Sequence, residues 1–315
     1  MVVKKFNYFR FFIFIIIVIS IIVGSVYLIK TKQYRNTYEY KLSNVGYSEG
    51  DIKFIQDKLK ESQIDKLLTI KYDDNIKYFL KEKYFIFDNL EKYLNYKNKN
   101  KDLKYNDIVA IINTEANIDW FDNEKQTDIS KNELMLVNRI YGLEKDYVPN
   151  DIVNIPMTYA YSGNKISKSI LDKIIELINA GKEEGFTFVV SQGYRSYDEQ
   201  KRLYDSYASS NGMKEADKFV ARAGHSEYQT GLTFDLKPYN KVIDDVENNP
   251  EYLWLRKNAY KYGFIFRLEK DKEKVTGFKS STWKLRYVGE TAASLIYSEK
   301  ICFEEYYAYF VMGDN

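Results

Sequence analysis

The sequence predicts an α+β fold: a small mixed or antiparallel sheet with flanking helices, preceded by a helical region and one N-terminal transmembrane helix. Three observations carry this. An uninterrupted apolar run stands near the start. Helical periodicity dominates residues 36–160. From Lys165 onward, short β-type segments mix irregularly with amphipathic helices instead of alternating strictly with them. At 315 residues, 29% charged and 45% hydrophobic, the chain is globular and long enough for one sizeable core or two smaller ones.

The apolar run "FFIFIIIVISIIVGSVYLI" covers Phe11 to Ile29. At ~1.5 Å per residue it can cross a hydrocarbon layer ~30 Å thick. A cleavable signal would have a shorter apolar core, ~7–15 residues, and a small-x-small site; this run is longer and ends in "VYLIKTK". An uncleaved signal anchor over residues 11–29 is therefore expected, with residues 1–10 as a short cytoplasmic N-terminus. Lys4, Lys5 and Arg10 precede the run and Lys30, Lys32 and Arg35 follow it, so charge alone orients the helix poorly.

Residues 36–160 read as mostly helical. In "YSEGDIKFIQDKLKES", Ser48 is a candidate N-cap, and Ile52, Ile55 and Leu59 share one helical face. "FDNLEKYLNYKNKN" and "KYNDIVAIINTEA" supply two more helices, and "ELMLVNR" is expected to be a short strand. Pro149 and Pro156 mark an extended connector into a second domain, residues 161–315. There, "SKSILDKIIELINAGKEEG" carries an Ile170, Ile174, Leu177, Ile178 stripe and closes at Gly181 or Gly185. "FTFVVSQ", "TGLTFDL", "FIFRL" and "WKLRYVG" read as strands. Helices are expected over "YDEQKRLYDSYASSNG", "MKEADKFVARAG", "YLWLRKNAYKYG" and "ETAASLIYSE".

Composition excludes several function classes. Residues 1–35 hold six basic and no acidic side chains, leaving 41 basic against 45 acidic groups beyond them. That mildly acidic remainder lacks the clustered basic footprint of a nucleic-acid binder. The single cysteine, Cys302, can form neither an internal disulfide nor a cysteine-based zinc cluster, and reads as a small buried hydrophobe. There is no phosphate-binding glycine loop with Lys-Ser/Thr and no dinucleotide fingerprint. The one histidine, His225, leaves a Ser-His-Asp triad formally open, but no nucleophile elbow supports it.

Three segments carry a more specific pattern: "SQGYRSYDEQ" (191–200), "GHSEYQTGLTFDL" (224–236) and "YGFIFRLEKDKEKVTGFKSSTWKLRYVG" (262–289). In order and spacing they resemble the signature blocks of VanY-type D-alanyl-D-alanine carboxypeptidases. "YEYKLSNVGYS", "LEKYLNYKNKN" and "KDYVPNDIV" also resemble the helical region that precedes this domain in Gram-positive relatives. The resemblance implies a zinc-peptidase fold acting on the peptide stems of bacterial cell walls. It also implies a single-pass protein with its bulk outside the membrane, whose partners would be stem peptides or a cell-envelope protein.

Carried over residue by residue, the resemblance implies that Tyr228 stands where the family has its first zinc-binding histidine. Asp235 retains the second ligand. Lys284, in "TWKLRY", replaces the third, and Ser281 replaces the glutamate that acts as general base. A catalytic zinc needs three protein ligands and one open position, where bound water falls toward a pKa of ~7 and gives up a proton. Two ligands and the base are therefore missing, so neither a zinc cofactor nor a catalytic residue is expected. His225, three positions before Tyr228, reads as structural. Lys284 is expected to reach Asp235 and replace the zinc's charge, with Tyr228 filling the imidazole's space and donating its hydroxyl; the competing reading sends Lys284 to solvent. Arg195, Gln200 and Ser226 match substrate-contact positions, and an Arg can hold a carboxylate through two hydrogen bonds. Gly193, Gly224 and Gly231 suit close backbone turns. Trp283, Arg286 and Tyr287 complete the last block, with Trp283 and Tyr287 read mainly as fold-determining.

Three functions remain open on the sequence. The first is a membrane-anchored, non-catalytic relative that binds wall peptides or a protein partner through the cleft. The second is an active carboxypeptidase with an atypical site. The third is a structural or regulatory ectodomain whose cleft is unused.

Overall fold

A computed structural model describes residues 8–118 and 123–312, so residues 1–7 of the expected N-terminal flank lie outside the described residues. The chain divides into two compact units, residues 1–106 and 107–315. In the first, the apolar run lies within a helix, Tyr8–Arg35, and its Phe12–Arg35 part is long and apolar enough to cross a membrane, with none of its most apolar window buried in the protein. Short helices follow at Tyr38–Val45, Glu49–Lys58, Glu61–Leu67, Ile76–Phe79 and Leu90–Lys99. Ser48 caps the second of these by accepting from the Asp51 amide, while Ile52 and Ile55 turn inward. Leu42, Leu67, Phe79 and Tyr93 close a small core, with Phe79 stacked on Tyr93 at 5.3 Å.

The second unit holds all the described strands: β1 (Lys125–Gln126), β2 (Tyr141–Gly142), β3 (Ile152–Asn154), β4 (Lys165–Ser167), β5 (Phe188–Gln192), β6 (Thr233–Pro238), β7 (Phe264–Leu268) and β8 (Ser281–Tyr287). The main sheet is antiparallel, in the order β5-β6-β8-β7, so the two strands nearest its centre are those of the second and third signature blocks. Two-residue periodicity sends Phe234, Leu236 and Leu285 into the core, where they meet the Ile170, Ile174 and Leu177 stripe of helix Lys168–Glu183. That helix ends at Glu183, followed by Gly185 at φ +84°; Gly181 lies inside the helix.

Residues 107–160, read from sequence with the helical region, contribute strands and loops to this second unit. β3 pairs with β4 across residue 160. The strand expected over "ELMLVNR" does not form. Glu133 and Leu134 end a short 3-10 stretch, and the following residues run extended, with the carbonyls of Glu133 and Met135 taken by the Arg286 guanidinium instead of a neighbouring strand. Two glycines explain how the signature loops fit. A Cβ on Gly193 would lie 2.2 Å from the Lys165 carbonyl oxygen. Gly231, at φ +68°, ends the 3-10 turn Glu227–Thr230 and leads into β6.

Candidate functional site

The antiparallel register sets the site. Asp235 on β6 and Lys284 on β8 are direct cross-strand partners, so their side chains leave the same face of the sheet. The turn before β6 brings Tyr228 to the same place, and the Arg195 amide donates to the Tyr228 carbonyl at 3.2 Å, tying the first signature loop to the second. Three of the four positions that the resemblance assigns to metal chemistry thus converge. The fourth, Ser281, stands at the start of β8 opposite Leu268.

The contacts are specific. The Tyr228 hydroxyl donates to Asp235 Oδ1 at 2.6 Å. The Lys284 ammonium lies 4.6 Å from the centroid of the Tyr228 ring, and the Arg195 guanidinium carbon lies 4.7 Å from the same centroid. The expected Asp235–Lys284 ion pair is not formed. Asp235 is committed to the short phenol bond, and the aromatic ring takes the ammonium instead. Burial pushes the Tyr228 phenol well above the usual tyrosine value, and the Asp235 carboxylate pushes it further. Burial lowers Lys284 below the usual lysine value, opposed by the attraction of Asp235 and then Glu227.

The three expected substrate contacts have different roles. Arg195 is half-buried and donates from Nη1 to Gln200 Oε1 at 2.7 Å. Gln200 is 1% exposed, and its Nε2 donates to the Ala221 carbonyl. Both ends of that amide are therefore engaged, so Gln200 acts on the cleft by orienting Arg195, not by meeting a ligand. Ser226 is buried and lines a cavity of about 40 Å³ together with Glu227, Arg267 and Lys284. His225 packs away from Tyr228: Nδ1 donates to the Asn138 carbonyl at 2.8 Å, and Nε2 lies 3.2 Å from Glu124.

Sequence reasoning missed a second set of charges beside the first. Arg267 is 3% exposed and donates from Nε to Glu227 at 2.8 Å and from both terminal nitrogens to Glu304, at 2.9 and 2.6 Å. Arg286, fully buried, lies 3.9 Å from the other Glu227 oxygen and donates to the backbone carbonyls of Glu133 and Met135. Burial draws Arg286 down to about 10, which leaves it cationic at neutral pH. The carboxylate partners of Arg267 lie 37 and 40 residues away in sequence, and the partners of Arg286, beyond the adjacent Tyr287 carbonyl, lie 56 or more. The signal was an arginine in a β-patterned core strand, which needs a buried carboxylate.

These residues do not fit a zinc ion. Asp235 is the one retained ligand and is already hydrogen-bonded. The phenol beside it is held protonated, and an ammonium has no lone pair to offer. Among the described residues no three His, Cys, Asp or Glu side chains gather as a metal-binding group.

Comparison with known proteins agrees with the fold and its signature blocks. The family model of VanY, D-alanyl-D-alanine carboxypeptidase, matches residues 163–290. The chain is 36% identical over 184 residues to the Bacillus subtilis protein YodJ, which carries a carboxypeptidase name; the match covers 56% of this chain and 67% of that protein. It is 31% identical over 193 residues to a D-alanyl-D-alanine carboxypeptidase of Enterococcus faecium, covering 58% of this chain and 60% of the relative's length. A bifunctional D-Ala-D-Ala dipeptidase and carboxypeptidase of Enterococcus gallinarum, VanXYC, is 30% identical, with 56% of this chain and 95% of that protein covered. Among solved structures, the LD-carboxypeptidase LdcB, whose structure reveals a basis of peptidoglycan recognition, superposes with a TM-score of 0.55 at 35% identity, over 60% of this chain and 91% of its own. The D,D-dipeptidase VanXYg, in complex with a D-Ala-D-Ala phosphinate analogue, gives 0.50 at 32% identity, over 55% of this chain and 69% of its own.

Proposed function

The chain belongs to the VanY D-alanyl-D-alanine carboxypeptidase family, and from that premise we propose that it binds cell-wall peptide stems through the family's cleft without cleaving them. One observation carries this reading. The Tyr228 hydroxyl on Asp235, with Lys284 over the same ring, fills the place where the family resemblance puts the metal. Hydrolysis by the family's route needs a metal-activated water and a base to take its proton. Tyr228, Lys284 and Ser281 offer neither. Arg195, held by Gln200, keeps a charged contact suited to a peptide carboxylate. The helix Tyr8–Arg35 would anchor the domain at the outer face of the membrane, close to such stems.

The test uses the purified full-length chain in detergent. Metal content is measured after zinc loading and dialysis, D-alanine release is followed from a pentapeptide stem, and binding of stem peptides is titrated for the wild type and Arg195→Ala. The expected result is no retained zinc, no release, a melting temperature unmoved by a chelator, and stem binding weakened by Arg195→Ala. Stoichiometric zinc with turnover would establish an atypical enzyme instead. No stem binding would leave a structural or regulatory ectodomain.

A further inference from the structure

The second unit holds another cavity, of about 470 Å³, lined by none of Arg195, Tyr228, Asp235 and Lys284. It lies where strand β7, the Pro250–Asn258 helix and the end of the Glu290–Glu299 helix meet. Its floor is apolar: Ala259, Phe264, Ile265, Ile296 and Ile301 all line it, and each is buried. Tyr260 and Tyr297 form one side, their ring centroids 4.0 Å apart and their planes 13° from parallel. The volume falls within the ~300–1,000 Å³ of small-molecule sites, which are mostly apolar with polar groups at a few points.

The charges around this cavity do not cancel. Arg256 is paired with Glu269, and its guanidinium carbon lies 4.7 Å from the Phe266 ring centroid. Lys272 is paired with Glu305 at 2.7 Å. Asp271 lies in the field of both those cations. Lys257 and Lys300 also line the cavity; both are exposed, and neither has an ion pair among the described residues. Four cations thus meet three carboxylates, and the two lysines are left without a counter-ion. A cationic lining around an apolar floor is complementary to a molecule with an anionic head and an apolar tail. A bare anion would make no use of the floor, and a neutral apolar molecule would make no use of the lysines.

We propose that this cavity binds a single-chain amphiphile with an anionic head group. The tail lies on the floor made by Phe264, Ile296 and Ile301, and the head group meets Lys257 and Lys300. The proposal is independent of stem binding in the Tyr228 cleft, because the two places share no side chain. A bilayer around the helix Tyr8–Arg35 would supply such molecules.

The experiment places the full-length chain in phosphatidylcholine nanodiscs at pH 8 and labels it with dodecanoate carrying a photoreactive diazirine on its tail. Labelled positions are mapped by mass spectrometry, and the label is competed with dodecanoate, dodecanol, acetate or inorganic phosphate. The methyl NMR signals of Ile296 and Ile301 are followed separately as dodecanoate is added. In the wild type, labelling is expected at Tyr260, Ile296, Tyr297 or Ile301, and both methyl signals should move. At equal mole fraction in the disc, dodecanoate should displace the label at least about tenfold more effectively than dodecanol. Acetate and phosphate should not displace it. Lys257→Gln combined with Lys300→Gln should cut the preference for dodecanoate to less than about threefold. Labelling confined to the helix Tyr8–Arg35, with the methyl signals unmoved, would overturn the site. Equal displacement by dodecanol in the wild type would overturn the anionic class, and a preference undiminished in the double variant would overturn the role of the lysines. Displacement by acetate or phosphate would mean that the cavity takes free anions, and would overturn the acyl tail.

Discussion

Glu227 and Tyr228 are neighbours in one 3-10 turn, yet they serve two arrangements built on opposite principles. Glu227 belongs to a closed charge set, in which Arg267 is held by carboxylates on two sides and Arg286 by backbone carbonyls. Tyr228 belongs to an open set, in which two cations rest on its ring and one carboxylate takes its hydroxyl. Two residues apart on β8, Lys284 and Arg286 leave the same face of the strand, one into each set. The difference separates what ties the fold together from the positions to which the family resemblance assigns the chemistry. The closed set ties β7, the 3-10 turn and the C-terminal segment together. The open set stands at the positions that the family resemblance assigns to the metal ligands, and there the cations rest on an aromatic face instead of on carboxylates.

The sharpest way to break this contrast is Arg267→Met. It strands Glu227 and Glu304, 8% and 2% exposed, without their shared cation. The expected destabilisation is about 3–5 kcal/mol in urea unfolding of the full chain. A loss below about 1 kcal/mol would show that the closed set is not structural.

Tyr228→Phe tests the open set more gently. The ring and its cation contacts remain, and only the hydrogen bond to Asp235 is lost, so about 1–3 kcal/mol is expected. A neutral outcome would mean that Asp235 recruits Lys284 directly. The Lys284 side-chain NMR signal would then shift in the variant.

His225→Gln should cost less still, about 1 kcal/mol, for the bond to the Asn138 carbonyl. It should leave zinc content and stem affinity unchanged. Altered metal binding in this variant would reassign the one histidine to the cleft.

The legibility of the molecule follows the same division. The four strands of the main sheet and the helices around them were readable because local patterns specify them: alternation in "TFDL", a 3.6-residue stripe in "SILDKIIELI", Ser48 ahead of a helix. The convergence of Tyr228, Asp235 and Lys284 was readable only through the ordered signature blocks, since nothing local brings residue 228 to residue 284. The closed set was not readable, because Arg267 and Glu304 lie 37 residues apart and only the fold of the C-terminal segment joins them. "ELMLVNR" misled because an apolar run can be buried as an extended loop when an arginine satisfies its carbonyls. Gln200 looked like a ligand contact because its position was visible and its burial was not.

The smallest effect at neutral pH, and the most informative sign, belongs to Lys284→Met. Replacing a desolvated ammonium by an apolar side chain of similar length is often neutral or stabilising, so the variant should be no less stable than wild type at pH 7. The pH dependence discriminates further. Burial lowers the folded-state pKa of Lys284 below the unfolded lysine value of ~10.4. Between those two values the unfolded chain binds a proton that the folded chain has released, so wild-type stability gains a rising contribution with pH. Below the folded value both states are protonated and the cost of the buried charge is fully present; above ~10.4 both are neutral and that cost is gone. The variant lacks this contribution, and the other titrating groups cancel in the comparison. Urea midpoints measured from pH 7 to pH 10 should therefore show the wild type gaining on Lys284→Met as pH rises. A constant difference would place Lys284 in solvent, and a difference that moved the other way would mean that Asp235 pairs with the ammonium strongly enough to raise its pKa, closing the set described here as open.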